Sequence, residues 1–397
     1  MTMTAAEAFI LALLAVFALP YATWRLAGGG IRLPLVVVQI LGGILLGPGI
    51  LGALAPEAHA AVFRPEVIQS LTGVATWAVI LFIFLAGLEL DLSETWAQRR
   101  ETLVTAGAAL VVPLALGSAV GLGLVLTNDG WVGSAGHGWQ AVLGIGMSAA
   151  VTALPILILF LTQLDLLRKP LGQRVLRYAS LDDVAIWAVL ALILLDWDRM
   201  VRQVGFTLIF LTLAPLVRRL IPRLAPRDRW PVALVWLLAA SLTSDWAGLH
   251  YMVGAFLAGA VLEPRWFDSA KVDAMREVVL VVLMPVFFLS TGLRTSWDMG
   301  GAMVFLAAGL LLAAAIAGKL LGVALAGRIL GWPRGEAWVI GWLLQTKALI
   351  MIIFANILLD KAVISGTTFT ALLLMALGST VLTMPVVMPR LKGLMRD

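Results

Sequence analysis

Four ionisable side chains lie deep inside apolar stretches of the sequence, two adjacent carboxylates and two lysines. They are Asp182, Asp183, Lys319 and Lys347. An ionisable group inside a membrane is unfavourable by several kcal/mol, so each of the four is a candidate for function. Neighbouring positions on a helix point about 100° apart. We therefore expect one aspartate to pair with a lysine from another helix and the other to face an aqueous cavity.

Two carboxylates this close together titrate as a coupled pair, so protons and a metal cation compete for one site. A bare carboxylate binds the cation, and a protonated one releases it. The competing interpretation is an inert ion pair between Asp182 and Lys319 that holds two helices together. This pair accounts for one aspartate but leaves the other buried without a compensating charge, which is unfavourable.

A proline marks the second unusual segment, Ser148 to Pro155. Proline removes a helical hydrogen bond and clashes with the preceding turn, so Pro155 is expected to free backbone carbonyls near Val151 and Thr152. Such carbonyls and the Thr152 hydroxyl are oxygen ligands for an alkali cation. A simple proline kink is the alternative. Lys347, at the matching place in the second half, is positioned to neutralise the negative C-terminal end of a broken half-helix.

The composition indicates a membrane protein without a cofactor. The chain has 397 residues, of which 61% are hydrophobic and 13% charged, whereas soluble proteins are about 25% charged. The absence of cysteine excludes disulfides, thiolate metal sites and iron–sulfur clusters. The three histidines, His59, His137 and His250, lie in or beside predicted loops, which argues against a metal centre. With no nucleophile–base set or nucleotide-binding loop, we expect no enzyme activity.

Apolar stretches of about 20 residues predict thirteen transmembrane helices. The fold class predicted is all-α and integral to the membrane, with no room for a soluble domain. The first stretch lacks a basic start and a small-residue cleavage site, so it is predicted to be retained. The predicted spans are 6–27, 33–53, 68–88, 102–126, 139–163, 174–196, 203–220, 230–247, 249–263, 278–296, 302–327, 336–359 and 366–388.

The basic residues predict the orientation. Most of the 28 lysines and arginines lie on the side reached after odd-numbered spans. Only Arg64, Arg199, Arg202, Arg294 and Lys361 lie on the other side. This bias predicts an N-terminus outside and a C-terminus in the cytoplasm. The net charge of +5 therefore reflects membrane orientation, and no nucleic-acid partner is expected.

Two glycine-rich motifs recur weakly in the two halves. Leu41–Pro48 resembles Val253–Gly259, and Phe82–Leu88 resembles Phe287–Leu293. Two six-helix repeats joined by a linker helix would make thirteen spans, and because seven is odd the second repeat would be inverted. The predicted boundaries are 1–200, 201–228 and 229–397. Chance similarity between glycine-rich helices is the alternative.

These segments, in this order, resemble the monovalent cation:proton antiporters, the sodium/hydrogen exchanger domain, and especially the cation/H+ exchanger branch of plants and bacteria. The resemblance covers nearly the whole chain. It is carried by Leu41–Pro48, Phe84–Glu89, Val151–Leu157, Asp182–Trp187, Val253–Gly259, Pro285–Phe288 and Thr346–Ala348.

The resemblance implies a dimerisation part from spans 1–3 and 8–10 and a mobile core from spans 4–6 and 11–13, in which two discontinuous helices cross beside the carboxylates. It implies that Asp183 is the cation and proton ligand. Asp182 would exchange partners between Lys319 and a proton or cation. Thr152 and Val151 would line the helix break at Pro155. The paired aspartates would make exchange electrogenic, with more protons than cations moved.

The sequence departs from the family at Gln345-Thr346-Lys347-Ala348. Relatives often have Asn-Thr-Arg/Lys-Gly here and a glutamate later in the helix, which this sequence lacks. Lys347 then either pairs elsewhere or burial favours its neutral form; with Gln345 it is assigned to charge compensation. Many relatives also carry a cytosolic nucleotide-binding domain. This sequence ends at Asp397, so we expect no gating of that kind.

The sequence thus predicts exchange of Na+ or K+ for protons by alternating access, in a homodimer in the bacterial inner membrane. Transported ions and the lipid bilayer are the partners expected, without a cofactor. The alternatives are a cation-coupled organic-anion symporter with similar repeats and a non-transporting cation or pH sensor. The sequence leaves the choice between Na+ and K+, the stoichiometry and the direction open.

Overall fold

A computed structural model describes residues 3–26, 35–48, 50–88, 99–166, 169–195, 200–293, 301–333 and 335–394. Within these ranges the regular structure is helical, apart from one isolated antiparallel bridge between Val132 and Ile364. The described α-helices are α1 Ala5–Leu26, α2 Leu35–Leu46, α3 Leu51–Leu54, α4 Pro56–Val62, α5 Pro65–Leu88, α6 Arg99–Thr127, α7 Gly138–Ala150, α8 Leu154–Gln163, α9 Pro170–Ile193, α10 Met200–Leu220, α11 Pro226–Trp246, α12 Tyr251–Ala260, α13 Ser269–Val278, α14 Met284–Leu293, α15 Gly301–Leu330, α16 Glu336–Leu343, α17 Ala348–Asp360 and α18 Gly366–Leu394.

Seven helical stretches of the described chain are long and apolar enough to cross a membrane. Each of the thirteen predicted spans overlaps at least one described helix. The span predicted at 33–53 is interrupted after α2 ends at Leu46, and two further spans are each divided into two half-helices. The span predicted at 139–163 is divided into α7 and α8, and the span at 336–359 into α16 and α17. At 1.5 Å per residue, none of these four half-helices is long enough to cross a bilayer by itself.

Several predicted boundaries needed correction. The helices α6 and α15 extend beyond the spans predicted at 102–126 and 302–327 at both ends. The span predicted at 278–296 begins within a longer helical segment, in which a π-helical turn at Val279–Leu283 joins α13 to α14. Hydropathy locates the apolar part of a helix, whereas the hydrogen-bonded backbone continues past it into polar surroundings.

The helices divide into two compact units. The first comprises Met1–Phe17, Ala60–Asp91 and Leu194–Ser290. Within it, α5 and α12 approach closely because each has a glycine at the contact. A Cβ atom on Gly87 would lie 2.3 Å from the carbonyl oxygen of Phe256, and one on Gly259 would lie 2.1 Å from that of Phe84. The glycine motifs noted in the sequence therefore serve helix packing here.

The second unit comprises Ala18–His59, Leu92–Ile193 and Thr291–Asp397. Small residues bring α15 against α6. A Cβ atom on Gly318 would lie 2.4 Å from the Cα of Pro113, and one on Gly322 would lie 2.2 Å from the carbonyl oxygen of Ala108. Lys319, next to Gly318 on α15, is consequently directed at the backbone of α6.

One end of the two interrupted helices is fixed by loop contacts within the second unit. The loop before α7 lies against the loop between α17 and α18 so closely that a Cβ on Gly133 would lie 2.1 Å from the carbonyl oxygen of Ala362. The Thr368 hydroxyl donates to the Trp131 carbonyl at 2.6 Å. These contacts join the N-terminal end of α7 to the C-terminal end of α17. The opposite ends of the two helices lie at the breaks.

Candidate functional site

The two helix breaks contact each other. The first break consists of the non-helical residues 151–153 between α7 and α8, and the second of residues 344–347 between α16 and α17. The backbone N–H of Ala153 donates to the carbonyl oxygen of Thr346. A backbone hydrogen bond therefore joins the two interrupted helices where neither can satisfy its own polar groups.

Pro155 explains the first break. It lies in the first turn of α8, where its missing N–H and fixed φ are compatible with helix. The alternative of a kink inside one continuous helix is wrong, because Val151 is in an extended conformation with ψ 149°. The carbonyl that a continuous helix would pair with position 155 belongs to Val151, four residues earlier. The Pro155 side chain lies outside the described part of the structure.

Asp182, in the middle of α9, contacts the described residues through one of its carboxylate oxygens. Its Oδ2 accepts from Lys319 Nζ at 2.9 Å and from the Thr152 hydroxyl at 2.7 Å. Its Oδ1 is buried and has no hydrogen-bond partner among the described residues. The side chain is 1% exposed. Among the described residues, the partners of the carboxylate thus all contact one oxygen, Oδ2.

Lys319 is completely buried, and three acceptors surround its ammonium group. They are the carbonyl oxygens of Ala109 at 3.0 Å and Ala150 at 2.6 Å, and Asp182 Oδ2. An ammonium group has three donors, so its hydrogen-bonding capacity is filled. The Ala109 carbonyl is free for this contact because Pro113, four residues later in α6, has no N–H to donate to it.

Lys347, also completely buried, binds the end of α7. Its Nζ donates to the carbonyl of Ala149 at 2.7 Å and to that of Val151 at 3.0 Å. Together with the bond from Lys319 to Ala150, two ammonium groups cover three consecutive carbonyls at the negative end of this half-helix. Lys347 therefore contacts the C-terminus of α7, and it donates to the carbonyl of Val151, the one that Pro155 leaves without a helical donor.

Asp183 follows Asp182 in α9, but its side chain lies outside the described part of the structure. The described site therefore contains one carboxylate, from Asp182, and two ammonium groups. The predicted residues Asp182, Thr152, Val151, Lys319 and Lys347 are brought together around the first break.

Gln345, predicted to take part in charge compensation, has another environment. Its side chain is 1% exposed, and neither its amide nitrogen nor its amide oxygen has a partner among the described residues. Its backbone carbonyl accepts from the Ser379 hydroxyl at 2.6 Å. The residue before it, Leu344, contacts the Thr152 hydroxyl through its carbonyl at 2.8 Å. The amide is consequently a buried polar group, close to the contact between the breaks, to which the described side chains offer no hydrogen bond.

Sequence reasoning missed several residues that support this site. Ser379 and Thr380 of α18 bind the backbone of the second break, since the Thr380 hydroxyl also accepts from the N–H of Ala348 at 3.1 Å. Pro113 was missed as well. The available signals were a polar Ser-Thr pair within an apolar span and a second proline inside an apolar helix.

A polar network was also missed where α6, α9 and α16 begin. Arg174 Nε donates to Glu101 at 2.7 Å, its Nη1 donates to Glu336, and the Tyr178 hydroxyl donates to Glu101. The guanidinium lies 4.8 Å from the ring centroid of Trp332. Tyr178 is one helical turn before Asp182. The network therefore lies on the N-terminal side of Asp182 in the same helix.

The chemistry available is that of hard oxygen ligands. A carboxylate, a hydroxyl and backbone carbonyls suit alkali cations and protons. Among the residues that the structure describes, no group of three histidine, cysteine, aspartate or glutamate side chains could hold a metal ion.

Comparisons with known proteins identify the family to which the chain belongs. The sequence profile of the family described as "Sodium/hydrogen exchanger, transmembrane" matches residues 12–392. "Cation/H(+) antiporter 18" of Arabidopsis thaliana is 31% identical over 376 residues, covering 90% of this chain and 46% of that protein. The chain thus spans about half the length of the plant relatives. "Na(+)/H(+) antiporter NhaS4" of Synechocystis sp. is 28% identical, covering 89% of this chain and 90% of that protein.

The solved structure of the sodium proton antiporter MjNhaP1 from Methanocaldococcus jannaschii matches with a TM-score of 0.65. The match covers 97% of this chain and 99% of that one at 16% sequence identity. At this identity the likeness concerns the fold alone.

Proposed function

The chain belongs to the transmembrane sodium/hydrogen exchanger family, and from this membership and the geometry of its site we propose that it exchanges Na+ or K+ for protons across a membrane by alternating access. The antiporters named above are described as acting on cations and protons, which supports the substrate class.

The observation that carries the proposal is the buried Oδ1 of Asp182, for which the described part of the chain provides no hydrogen-bond partner. A buried polar atom without a partner is rare in proteins and calls for an explanation such as a bound ion or water. Asp182 Oδ1 lies on a carboxylate whose other oxygen is held by Lys319 and Thr152. An ionised carboxylate with one free oxygen accepts either a proton or an alkali cation at that oxygen.

We propose that Asp183 supplies the second carboxylate, as cation and proton ligand, and that Asp182 alternates between Lys319 and a proton or cation. Thr152 and the Val151 carbonyl complete the ligand set. That carbonyl also accepts from Lys347 at 3.0 Å, so the ammonium group and a cation compete for it. We assign Lys347 and Gln345 to charge compensation beside the oxygen ligands.

Two carboxylates set the proposed stoichiometry. If both aspartates release a proton when one monovalent cation enters, two charges move in one direction and one in the other. Exchange is then electrogenic. An imposed membrane potential should accelerate exchange in one direction and slow it in the other. Exchange rates that are independent of the membrane potential would contradict this part of the proposal.

We also propose the thirteen-span architecture with inverted repeats at 1–200 and 229–397, joined by a linker at 201–228. The two interrupted helices support it, since they occupy the fifth and twelfth predicted spans, which are the fifth span of each proposed six-span repeat. The asymmetry of basic residues supports an outside N-terminus and a cytoplasmic C-terminus in a bacterial inner membrane. The proposed assembly is a homodimer formed by spans 1–3 and 8–10.

The alternative of organic-anion symport is less compatible with the site. An anion requires a free cationic group, whereas all three donors of Lys319 are bound to protein oxygens. The free group is instead a carboxylate oxygen, which repels anions. A non-transporting sensor would bind cations without moving protons, and vesicle transport distinguishes it.

The test is cation-driven proton movement in proteoliposomes that enclose a pH-sensitive dye, with Na+, K+ and Li+ compared. Wild-type protein should move protons, whereas Asp182→Asn and Asp183→Asn should fall to the background of empty vesicles. The control is Asp228→Asn, which changes an exposed aspartate at the start of α11 and should keep the wild-type rate. Wild-type vesicles without cation-driven proton movement would contradict the proposed function.

A further inference from the structure

Five arginines lie close together where α10 ends and α11 begins. This arginine segment, residues 218–229, contains a single acid, Asp228. It begins inside the stretch Met200–Arg223, which is long and apolar enough to cross a membrane. Its arginines therefore lie where the hydrocarbon gives way to the lipid headgroups. They are Arg218, Arg219, Arg223, Arg227 and Arg229.

Arg229 fixes the shape of the arginine segment. Its Nε donates to the carbonyl oxygen of Leu224 at 3.2 Å, and its Nη2 donates to that of Pro222 at 3.2 Å. Its Nη1 donates to the carbonyl oxygen of Trp266 at 2.6 Å. Pro222 and Pro226 restrict the backbone of the same turn further. The other arginines of the segment are therefore attached to a backbone that is held in one conformation.

Arg218 is partly neutralised within the protein. It shares the carboxylate of Glu263 with Arg265. Its guanidinium also lies 5.9 Å from the ring centroid of Trp266. One acid between two arginines leaves one positive charge in excess at this point of the surface.

The other three arginines are exposed and have little or no charge compensation. Arg219 and Arg223 form no ion pair with the described residues. The Nε of Arg227 lies 3.8 Å from Asp228, and 88% of the Arg227 side chain is exposed. An exposed ion pair at this distance contributes little. These three guanidiniums are therefore available to an anionic partner.

An exposed apolar stripe of α10 leads to two of these arginines. Its members are between 41% and 60% exposed, and they follow one another at intervals of three or four residues, which places them on one face of the helix. Arg219 is three residues after Leu216. Arg223 is three residues after Leu220, at the end of a 3-10 turn that continues the helix. The stripe consists of Ile209, Leu213, Leu216 and Leu220.

We propose that the arginine segment binds the headgroup phosphate of an anionic phospholipid whose acyl chain lies along the stripe. The forked guanidinium group matches the oxygens of a phosphate and binds them in pairs. A free phosphate would meet the same arginines but would gain nothing from the apolar stripe. Two half-buried tryptophans beside the segment, Trp230 and Trp266, belong to the residue type that prefers the membrane interface.

The test measures the thermal unfolding midpoint of the full chain in neutral detergent micelles that contain added phospholipid. A ligand that binds the folded state raises this midpoint. The wild-type midpoint should rise as the fraction of phosphatidylglycerol increases, and it should not rise with phosphatidylcholine, which has no net charge. Inorganic phosphate at the same concentration should leave the midpoint unchanged because it has no acyl chain.

The variant that tests the assignment is Arg219→Gln/Arg223→Gln/Arg227→Gln. Each basic residue near an anionic lipid surface contributes about fivefold in affinity, so the loss of three should weaken the apparent affinity for phosphatidylglycerol about a hundredfold. Without lipid, the variant should unfold at the wild-type temperature, since all three side chains are exposed.

The matched control is Arg99→Gln/Arg100→Gln/Arg328→Gln. It removes the same charge from exposed arginines of the second compact unit and should respond to phosphatidylglycerol as the wild type does. A wild-type response in the first variant would overturn the inference. An equal rise of the wild-type midpoint with phosphatidylcholine or with inorganic phosphate would overturn it as well.

Native mass spectrometry provides a second measurement. From micelles that contain phosphatidylglycerol and phosphatidylcholine in equal amounts, the wild type should retain mainly phosphatidylglycerol, and the variant of the arginine segment should lose this preference. The same preference in both proteins would overturn the inference. Both measurements report lipid binding, so an absence of ion exchange would contradict the proposed function alone.

Discussion

Lys319 Nζ lies 2.9 Å from Asp182 Oδ2, and both side chains are sealed from solvent. Removing one partner of such a pair leaves an uncompensated buried charge, at about 3–5 kcal/mol of stability. Lys319→Ala should therefore lower the thermal unfolding midpoint in detergent. It should also change the pH optimum or the charge stoichiometry of exchange, because the site loses a positively charged group.

The double variant Lys319→Met/Asp182→Asn tests whether the two residues act on each other. Replacing both partners of a buried pair is often tolerated, so the double variant should be more stable than the sum of the single changes predicts. Additive losses of stability, together with an unchanged pH profile in Lys319→Ala, would show that the pair is not coupled.

Lys347 should be needed to hold the first helix break. Lys347→Met keeps the length of the side chain but leaves the carbonyls of Ala149 and Val151 without their charged donor. We expect a loss of about 2–4 kcal/mol in the free energy of unfolding, from two hydrogen bonds to a charged group. Lys271→Met, at an exposed position, should change stability by less than about 0.5 kcal/mol. Equal stability of the two variants would refute the assigned contact.

Gln345 should affect transport and stability in opposite directions. Its buried amide has no partner among the described residues, so Gln345→Leu should leave stability unchanged or increase it. If the amide contributes to the environment of the bound cation, the KM for the cation should rise about tenfold, equivalent to about 1.4 kcal/mol. Initial rates in proteoliposomes over a range of cation concentrations measure this. An unchanged KM would assign the amide no role in transport.

The network around Arg174 should stabilise the end of the core. Its guanidinium binds carboxylates from α6 and α16, Glu101 and Glu336, and stacks near Trp332. Arg174→Lys keeps the charge but not the planar, forked geometry, so it should lose much of the stability that Arg174→Ala loses, about 2–3 kcal/mol. Arg276→Lys, in an exposed pair, is the control for the same change. If Arg174→Lys had the same free energy of unfolding as the wild type, charge attraction alone would account for the contribution of the network.

The predictable part of the site followed from physical rules that act within one helix. Asp182, Lys319 and Lys347 were recognisable because an ionisable residue in an apolar span is unfavourable unless it has a partner. Pro155 predicted a disturbance four residues earlier for a local, steric reason. Thr152 was identified with it because it lies within that disturbed turn.

The remaining part depends on contacts between distant segments. No local rule places the carbonyl of Leu344 against Thr152, or joins Arg174 to Glu101 and Glu336, since those residues lie in different helices. Pro113 can be recognised in the sequence as a proline within an apolar helix. The carbonyl that it leaves free belongs to Ala109, and its contact with Lys319 follows only from the packing of α15 against α6. The ends of α6 and α15 were mispredicted because hydrogen-bonded backbone continues beyond the apolar residues.

The most direct test of competition between cation and proton is to measure proton release when a cation binds to the purified protein in weakly buffered detergent solution. Addition of Na+ or K+ to the wild type should release protons, whereas Asp182→Asn/Asp183→Asn should release none and bind the cation at least tenfold more weakly. Cation binding by the wild type without proton release, or equal release from the double variant, would contradict the account.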